Sequence, residues 1–331
     1  MQAAVAMKND EILYLSRTEM DRIGPSLGEI VALLEEVFKL KGQGRTVMPP
    51  KHWVERTNDR FFSAMSSYVP DLGFGGCKWQ SGDPLNSTRG MPYIQGLYVL
   101  TEDTLGIPVA IFDSEWITGR RTAAASALAV KYFAKADAQS LAILGCGLQG
   151  RAHLEAILSV APGIKTVRVF DIRREIADNF ARELGSRFNV AIEAVDSAKT
   201  AVSGADVVIS GGPILNPPQP VIEPDWLSDG VLGVSIDYDS YWTPAAMKTM
   251  DLIVTDDRGQ IEHLKEYGLF LGLPRLDAEF ADVIVGRLPA RRSPQERILC
   301  FNLGIAIEDL VTATDIYRRA MAASAGRRLP R

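Results

Sequence analysis

Leu141-Ala-Ile-Leu-Gly-Cys-Gly-Leu-Gln-Gly150 is the stretch on which the reading of the fold turns. Four apolar residues run into Gly145-Cys-Gly147-Leu-Gln-Gly150, and Arg151-Ala-His-Leu-Glu-Ala-Ile-Leu158 then follows with apolar residues at helical spacing. A buried strand, a tight glycine turn and a helix are therefore expected in immediate succession. Such a turn suits a dinucleotide. Its first glycine permits the turn, its second lets a pyrophosphate approach the backbone, and its third lets the helix pack on the strand. The helix N-terminus adds free N–H groups and partial positive charge. The next apolar run, Thr166-Val-Arg-Val-Phe170, ends in Asp171, close to the spacing of about 20 residues at which an acid binds a ribose 2′-hydroxyl. Gly145, Gly147, Leu148, Gln149, Gly150 and Asp171 are thus the candidate cofactor contacts, with NAD as the expected cofactor. Arg173 and Arg174 lie close enough to meet a 2′-phosphate, so NADP stays open.

Around this turn the chain alternates strand and helix, the pattern of a parallel sheet covered on both faces. The expected strands are 141–144, 166–170, 190–194, 207–210, 231–236 and 252–254. The Pro-rich loop 213–224 follows a strand's carboxyl end, and 298–320 reads as a final helix or helix pair. Upstream, residues 12–15 read as a short strand. Ser16-Arg-Thr-Glu19 has capping-box spacing, and 26–41 is amphipathic. Runs at 61–68, 74–79, 93–100 and 107–112 suggest a mostly antiparallel sheet. The tail after residue 323 reads as disordered. The expected architecture is α/β, a doubly wound, mostly parallel dinucleotide-binding domain plus an N-terminal α+β domain completed by the C-terminal helix. The expected boundaries are 1–120 with 314–331 for the latter, and 121–313 for the former.

Composition narrows the class. The chain has 331 residues, 47% of them hydrophobic, and a net charge of −5, so large buried cores are expected and neither nucleic acid nor an anionic membrane is the expected partner. No apolar run reaches membrane-helix length, and Met1-Gln-Ala-Ala-Val-Ala-Met-Lys-Asn-Asp10 lacks a signal-peptide core. Three scattered cysteines and three histidines without ligand spacing suggest a reducing cytoplasm and no metal.

Several polar residues invite a functional reading. Arg120-Arg121 at a helix start suits bidentate carboxylate recognition or a solvated surface pair. Lys78, in an apolar strand, is either snorkelling or held for anion binding or proton transfer. Arg45 by itself reads as surface. Asp237, following Val231-Leu-Gly-Val-Ser-Ile236, is placed to take a proton beside a nicotinamide or to cap a loop, and Asp239 is equally placed. Gln149 and Ser210 fall at turns that face a cofactor. The tryptophans Trp79, Trp116, Trp226 and Trp242 read as packing.

Taken together, the lysine strand with Pro84 and Asn86, Arg121-Thr-Ala-Ala124, Gly145-Cys-Gly-Leu-Gln149 and Gly304-Ile-Ala-Ile-Glu-Asp309 resemble the ornithine cyclodeaminase/mu-crystallin family over almost the whole chain. The resemblance implies a homodimer built through the N-terminal sheet domain and active sites in an interdomain cleft. It implies that Arg45, Lys78 and Arg121 hold a substrate carboxylate and that Asp237 is the acid/base; either Asp237 or Lys78 is expected to move the nitrogen-linked proton. It further implies that Gln149, Asp171, Ser210 and Asn302 contact NAD, and that Leu303 touches the substrate side chain. Ornithine cyclodeaminases carry a Glu-Leu-Met stretch whose acid receives the distal amine; here the matching segment is Ser63-Ala-Met65. Their Lys-Tyr-Val-Asn-Gly-His-Pro becomes Lys78-Trp-Gln-Ser-Gly-Asp-Pro84, and Tyr93 aligns with a substrate-side threonine. The expected activity is therefore NAD-dependent oxidation or reduction of a small 2-amino or 2-imino acid. An NAD-requiring cyclodeaminase and a non-enzymatic binding protein on the same scaffold are the alternatives.

Overall fold

The computed structural model describes residues 10–56 and 60–331; most of the amino-terminal stretch weighed above as a possible leader lies outside them. In chain order the elements are β1 (Glu11–Leu15), α1 (Arg17–Ile23), α2 (Leu27–Gly42), β2 (His52–Arg56), β3 (Arg60–Val69), β4 (Phe74–Gly82), β5 (Ile94–Glu102), β6 (Pro108–Asp113) and α3 (Ser114–Phe133). There follow β7 (Ser140–Leu144), α4 (Leu148–Val160), β8 (Thr166–Phe170), α5 (Arg174–Phe188), β9 (Ala191–Ala194), α6 (Ala198–Val202), β10 (Val207–Ser210) and β11 (Leu232–Ser235). Last come α7 (Pro244–Lys248), β12 (Leu252–Thr255), α8 (Arg258–Lys265), β13 (Ala278–Glu279), α9 (Phe280–Ile284), β14 (Ile298–Phe301), α10 (Ala306–Ala323) and β15 (Arg327–Pro330). The chain divides into two compact units, residues 1–121 with 305–331, and residues 122–304. The return to the first unit comes at Ile305 rather than at 314, because α10 is one unbroken helix from Ala306.

In the first unit a seven-stranded sheet has the order β15-β1-β6-β5-β4-β3-β2. Only β1 and β6 run parallel; the other pairs are antiparallel. Both early helices start as their sequences dictate. Ser16 and Ser26 each close a full capping box with Glu19 and Glu29, satisfying two otherwise free amide donors apiece. Register places Lys78 opposite Met65 on one side and Tyr98 on the other, while Gln80 lies between Ser63 and Gly96. Side chains alternate across a strand, so these residues share one face, on which α10 packs over β3, β4 and β5. Glycine at 96 is compulsory: a Cβ there would lie 2.2 Å from the carbonyl oxygen of Trp79.

The tail departs from expectation. Residues 327–330 form β15, antiparallel to β1 with Glu11 opposite Pro330 and Tyr14 opposite Arg327. An arginine-rich segment has little apolar surface to bury, so composition suggests disorder; the open edge of β1 instead supplies main-chain partners.

In the second unit eight strands, all parallel, have the order β13-β12-β14-β11-β10-β7-β8-β9. Here the structure corrects the sequence reading. Ile298–Phe301 is not helical but forms β14, in the middle of the sheet between β11 and β12. A four-residue apolar run has no period that separates a buried strand from part of a helix. Gly304, at φ +76, then turns the chain before α10 begins.

Candidate active site

The first unit buries a cluster of four charges. Lys78 on β4 and Asp309 on α10 are both fully buried, and Lys78 Nζ lies 2.8 Å from Asp309 Oδ2. Lys78 also donates to Asp309 Oδ1 at 3.0 Å and to Thr118 Oγ1 at 3.1 Å. Arg121, on α3, donates through Nε to Asp309 Oδ1 at 3.0 Å and through Nη1 to Glu308 Oε2 at 2.9 Å. Burial raises the pKa of the Asp309 carboxyl, but Lys78 and Arg121 outweigh that and hold it below the ordinary carboxylate value. Burial lowers the Lys78 ammonium to about 7, with Arg121 adding to the shift and Asp309 opposing it. Glu308 moves the other way. Burial raises it to about 7, reinforced by Asp309 and opposed by Arg121.

Of the three cations expected to share one task, the structure brings two together. Arg45 instead pairs with Asp71, donates to Gln43 Oε1 at 3.3 Å, and has a side chain 53% exposed. Arg120, the neighbour of Arg121 in the doublet, lies over the ring of Trp116, 4.6 Å from the centroid. Along the same sheet face Gln80 Nε2 donates to Ser63 Oγ at 3.1 Å, both residues being buried. An amide and a hydroxyl thus occupy the row where an acid would be needed to neutralise an ammonium.

In the second unit the glycine turn has the geometry its spacing implies. Gly145 has φ +99, and a Cβ on it would lie 2.5 Å from Gly211 O. A Cβ on Gly150 would lie 2.1 Å from Gly145 O, whereas around Gly147, the N-cap of α4, there is open space. The turn is tied down by Gly145 N–H donating to Phe170 O at 2.8 Å. Asp171 accepts from Cys146 N at 3.0 Å and from Arg173 N at 3.0 Å. Arg174 is engaged by Asp178 and Asp196. Leu148 is 49% exposed at the open end of α4, and Gln149 Oε1 beside it is buried without a donor among the described residues. The open N-cap, the orphaned amide oxygen and the acid closing the next strand fit the pyrophosphate and ribose of a dinucleotide.

Asp237 lies two residues past β11 and is fully buried. Its Oδ1 accepts from Ser210 Oγ at 2.8 Å and Ser235 Oγ at 2.7 Å, and its Oδ2 from Gly212 N at 3.0 Å. Burial lifts its carboxyl to about 6 despite these donors. Asp239, the equally placed alternative, caps the backbone N of Phe270 at 2.7 Å. Ser210 does not face outward; its hydroxyl serves Asp237 and accepts from Trp242 Nε1 at 3.1 Å. Asn302 is likewise internal. It accepts from Cys300 Sγ at 3.3 Å and donates to Ser126 Oγ at 3.2 Å, which lies 2.9 Å from His153 Nε2. His153 Nδ1 is 2.7 Å from Gln149 O. A carbonyl can only accept, so Nδ1 carries the proton and Nε2 accepts from Ser126, in keeping with burial lowering this imidazole to about 4. Leu303 is packed in the unit's hydrophobic core.

Sequence reasoning missed Asp309, Glu308, Ser126 and His153 as members of these networks. For the two acids a signal existed: adjacent carboxylates in an otherwise apolar helical stretch, Ala306-Ile-Glu-Asp-Leu-Val311, need buried cations.

A parallel sheet with a glycine turn at the start of α4, joined in one chain to a sheet unit with a buried charge cluster, defines a two-unit α/β protein of dinucleotide-binding type. The chain belongs to the ornithine cyclodeaminase/mu-crystallin family, whose pattern matches residues 15–324. It is similar to N-((2S)-2-amino-2-carboxyethyl)-L-glutamate dehydrogenase of Staphylococcus aureus, 30% identical over 96% of this chain and 98% of the relative. Among solved structures it resembles Thermococcus litoralis Delta(1)-pyrroline-2-carboxylate reductase in complex with NADH and L-proline, with a TM-score of 0.86, 27% identity, and 96% and 99% of the two chains covered. An archaeal alanine dehydrogenase dimer with bound NAD has the same TM-score, 0.86, at 27% identity, covering 96% of this chain and 99% of that one.

Replacing Asp309 by Asn leaves Lys78 and Arg121 buried without their shared anion, at a cost of about 3–5 kcal/mol. Urea denaturation of D309N should show a loss of that size at pH 7, with an unchanged denaturant slope.

Proposed function

We propose that this protein is an NAD-dependent oxidoreductase interconverting a small 2-amino acid and the corresponding 2-imino acid. The observation that carries the reading is the pairing, in one chain, of a buried Lys78–Arg121 cation pair with a dinucleotide-type turn and a buried, proton-poised Asp237. Lys78 and Arg121 hold the substrate carboxylate, Arg121 through its planar fork and Lys78 as a compact charge. The nicotinamide, when bound, supplies a hydride acceptor or donor for the substrate α-carbon. In the oxidative direction the C–H electron pair leaves with the hydride, and Asp237 takes the proton released from nitrogen. Asp171 hydrogen-bonds the ribose diol and repels a 2′-phosphate, which favours NAD over NADP. Holding the reactants in line accounts for up to about 7–11 kcal/mol of barrier in well-oriented systems.

The substrate side chain is not an extended amine. The neutral Ser63–Gln80 pair offers an ammonium no counter-charge, which speaks against a diamino acid as substrate. Alanine dehydrogenase, a named relative that is a dimer, supports extending the same assembly to this chain. Val54, Trp79 and Leu97 are 41%, 50% and 48% exposed on the outer face of the first sheet, and Trp79 stacks on Phe62 at 5.7 Å. An apolar patch of that kind is a surface to be covered, and we assign it to a homodimer. Cys77, Cys146 and Cys300 are not joined in disulfides, which fits a cytoplasmic protein. Among the described residues no helix is long and apolar enough to cross a membrane.

The test is a panel of 2-oxo acids with ammonia, and of cyclic imines, monitored by NADH and NADPH absorbance. NADH oxidation with at least one of them, faster than with NADPH, is expected; no oxidation with any defeats the reading. In the amino-acid direction kcat/KM should fall tenfold per pH unit below about 6, as Asp237 gains its proton. Asp237→Asn should lower kcat by about 10²–10⁴ and remove that acid limb. A W79D/L97D double variant should elute as a monomer in light-scattering chromatography where the wild type elutes as a dimer.

A further inference from the structure

Lys78, Arg121, Glu308 and Asp309 form a closed set, with side chains 0–5% exposed. Fully ionised it carries two positive and two negative charges. The four are therefore balanced among themselves before any ligand arrives, and a substrate carboxylate adds a buried negative charge that none of the four is free to compensate. Two oxygens of the set lack a directed donor among the described residues, Asp309 Oδ2 and Glu308 Oε1. Asp309 Oδ2 still lies 2.8 Å from Lys78 Nζ, whereas Glu308 accepts from Arg121 only through Oε2 and leaves Oε1 buried with neither donor nor cation. An ionised carboxylate oxygen in that position is costly, while a proton on it removes the excess charge and converts an orphan acceptor into a donor.

We propose that Glu308 is a third carboxylate-binding residue of the substrate site, working as a neutral acid, so that each substrate carboxylate enters together with one proton that settles on Glu308 Oε1. This deepens the assignment of Lys78 and Arg121 above and rests on it. Atoms balance simply: the proton comes from solvent, no covalent bond changes in the substrate, and the proton returns when the ligand leaves. The groups facing Glu308 bear this out. Arg121 approaches from α3 and Asp309 is its neighbour on α10. Lys78 reaches the set from β4 through Asp309. The buried phenol of Tyr98 on β5 is held neutral, and Lys51, 8% exposed, acts on Lys78 from ahead of β2. The nearest residues of β3 on that face, Met65 and Ser67, do not titrate. Arg319, much later on α10, is paired with Glu29 of α2 and with Asp315. Burial and the neighbouring Asp309 already make Glu308 easy to protonate near neutral pH, against the pull of Arg121.

The experiment is isothermal titration of the NAD⁺-loaded enzyme with pyruvate, free of ammonia, in pairs of buffers that differ in ionisation enthalpy. Pyruvate carries a carboxylate and no group that titrates between pH 6 and 8. The wild type should take up close to one proton per pyruvate at pH 8 and less than half at pH 6. Its Kd should weaken about tenfold per pH unit above 7. Glu308→Gln should take up less than half as much at pH 8, any remainder belonging to Lys78, and its Kd should change less steeply with pH. Glu308→Asp, which keeps the acid, should restore the uptake. Unchanged uptake in E308Q overturns the proposal, since the proton then goes to Lys78 or Asp237. As a readout independent of the Gln variant, infrared difference spectra of wild type and D237N should both gain a carboxylic-acid C=O band on adding pyruvate; its absence from both also overturns it. Pyruvate binding unaffected by Arg121→Met would instead remove the carboxylate assignment itself, a separate failure that the same titrations reveal.

Discussion

Asp309 sits between two buried cations, and the first unit is organised to make that arrangement tolerable. Lys78 comes from the middle of a strand, Arg121 from a helix following the last antiparallel hairpin, and Asp309 from the first turn of α10. Any one of these charges buried alone would cost several kcal/mol; together they satisfy one another. Such clusters seldom add net stability compared with a well-packed apolar core. Their worth here is positional. Two cations with fixed direction lie in a low-dielectric setting, where charge–charge interactions are stronger than they would be in water.

The second unit solves a different problem, which is to hold a backbone turn open at a helix end. Gly145 and Gly150 touch backbone so closely that no side chain fits. Asp171 fixes the turn from β8 through the amide of Cys146, and a chain of neutral hydrogen bonds reaches it from β14. Cys300, Asn302, Ser126 and His153 pass donors in one direction until His153 meets the carbonyl of Gln149. A protonated imidazole would break that order, and burial prevents it. Ser210 and Asn302 have their side chains engaged with other residues of the unit. Asp237 is similarly braced by two serines and one backbone amide, which keep it in place while burial keeps its proton affinity high.

Much of this was legible residue by residue. The glycine triplet, its acid partner, the capping box at Ser16, the amphipathic helix from Ser26, and the strands 61–68 and 74–79 each rest on local chemistry that tertiary context did not override. Two segments were misread for the same reason. Residues 298–301 and 327–330 take their state from a neighbour strand rather than from their own pattern, since one is too short to show a period and the other too polar to signal burial. Among the charged positions, Arg121 and Arg120 are adjacent and chemically identical. Only packing separates them, one turned into the acids of α10 and the other laid over Trp116.

By itself the sequence determined the class of protein and the place of the dinucleotide turn, because spacing within ten residues sets a strand–turn–helix and glycine is the residue that fits it. Tertiary structure alone decided which charges meet. The partners at positions 78, 121, 308 and 309 come from three elements, β4, α3 and α10, and pairing between buried ions depends on distances that no local pattern encodes. It decided equally that Arg45 belongs with Asp71, that Leu303 belongs to the core, and that Glu308 keeps one oxygen without a partner among the described residues.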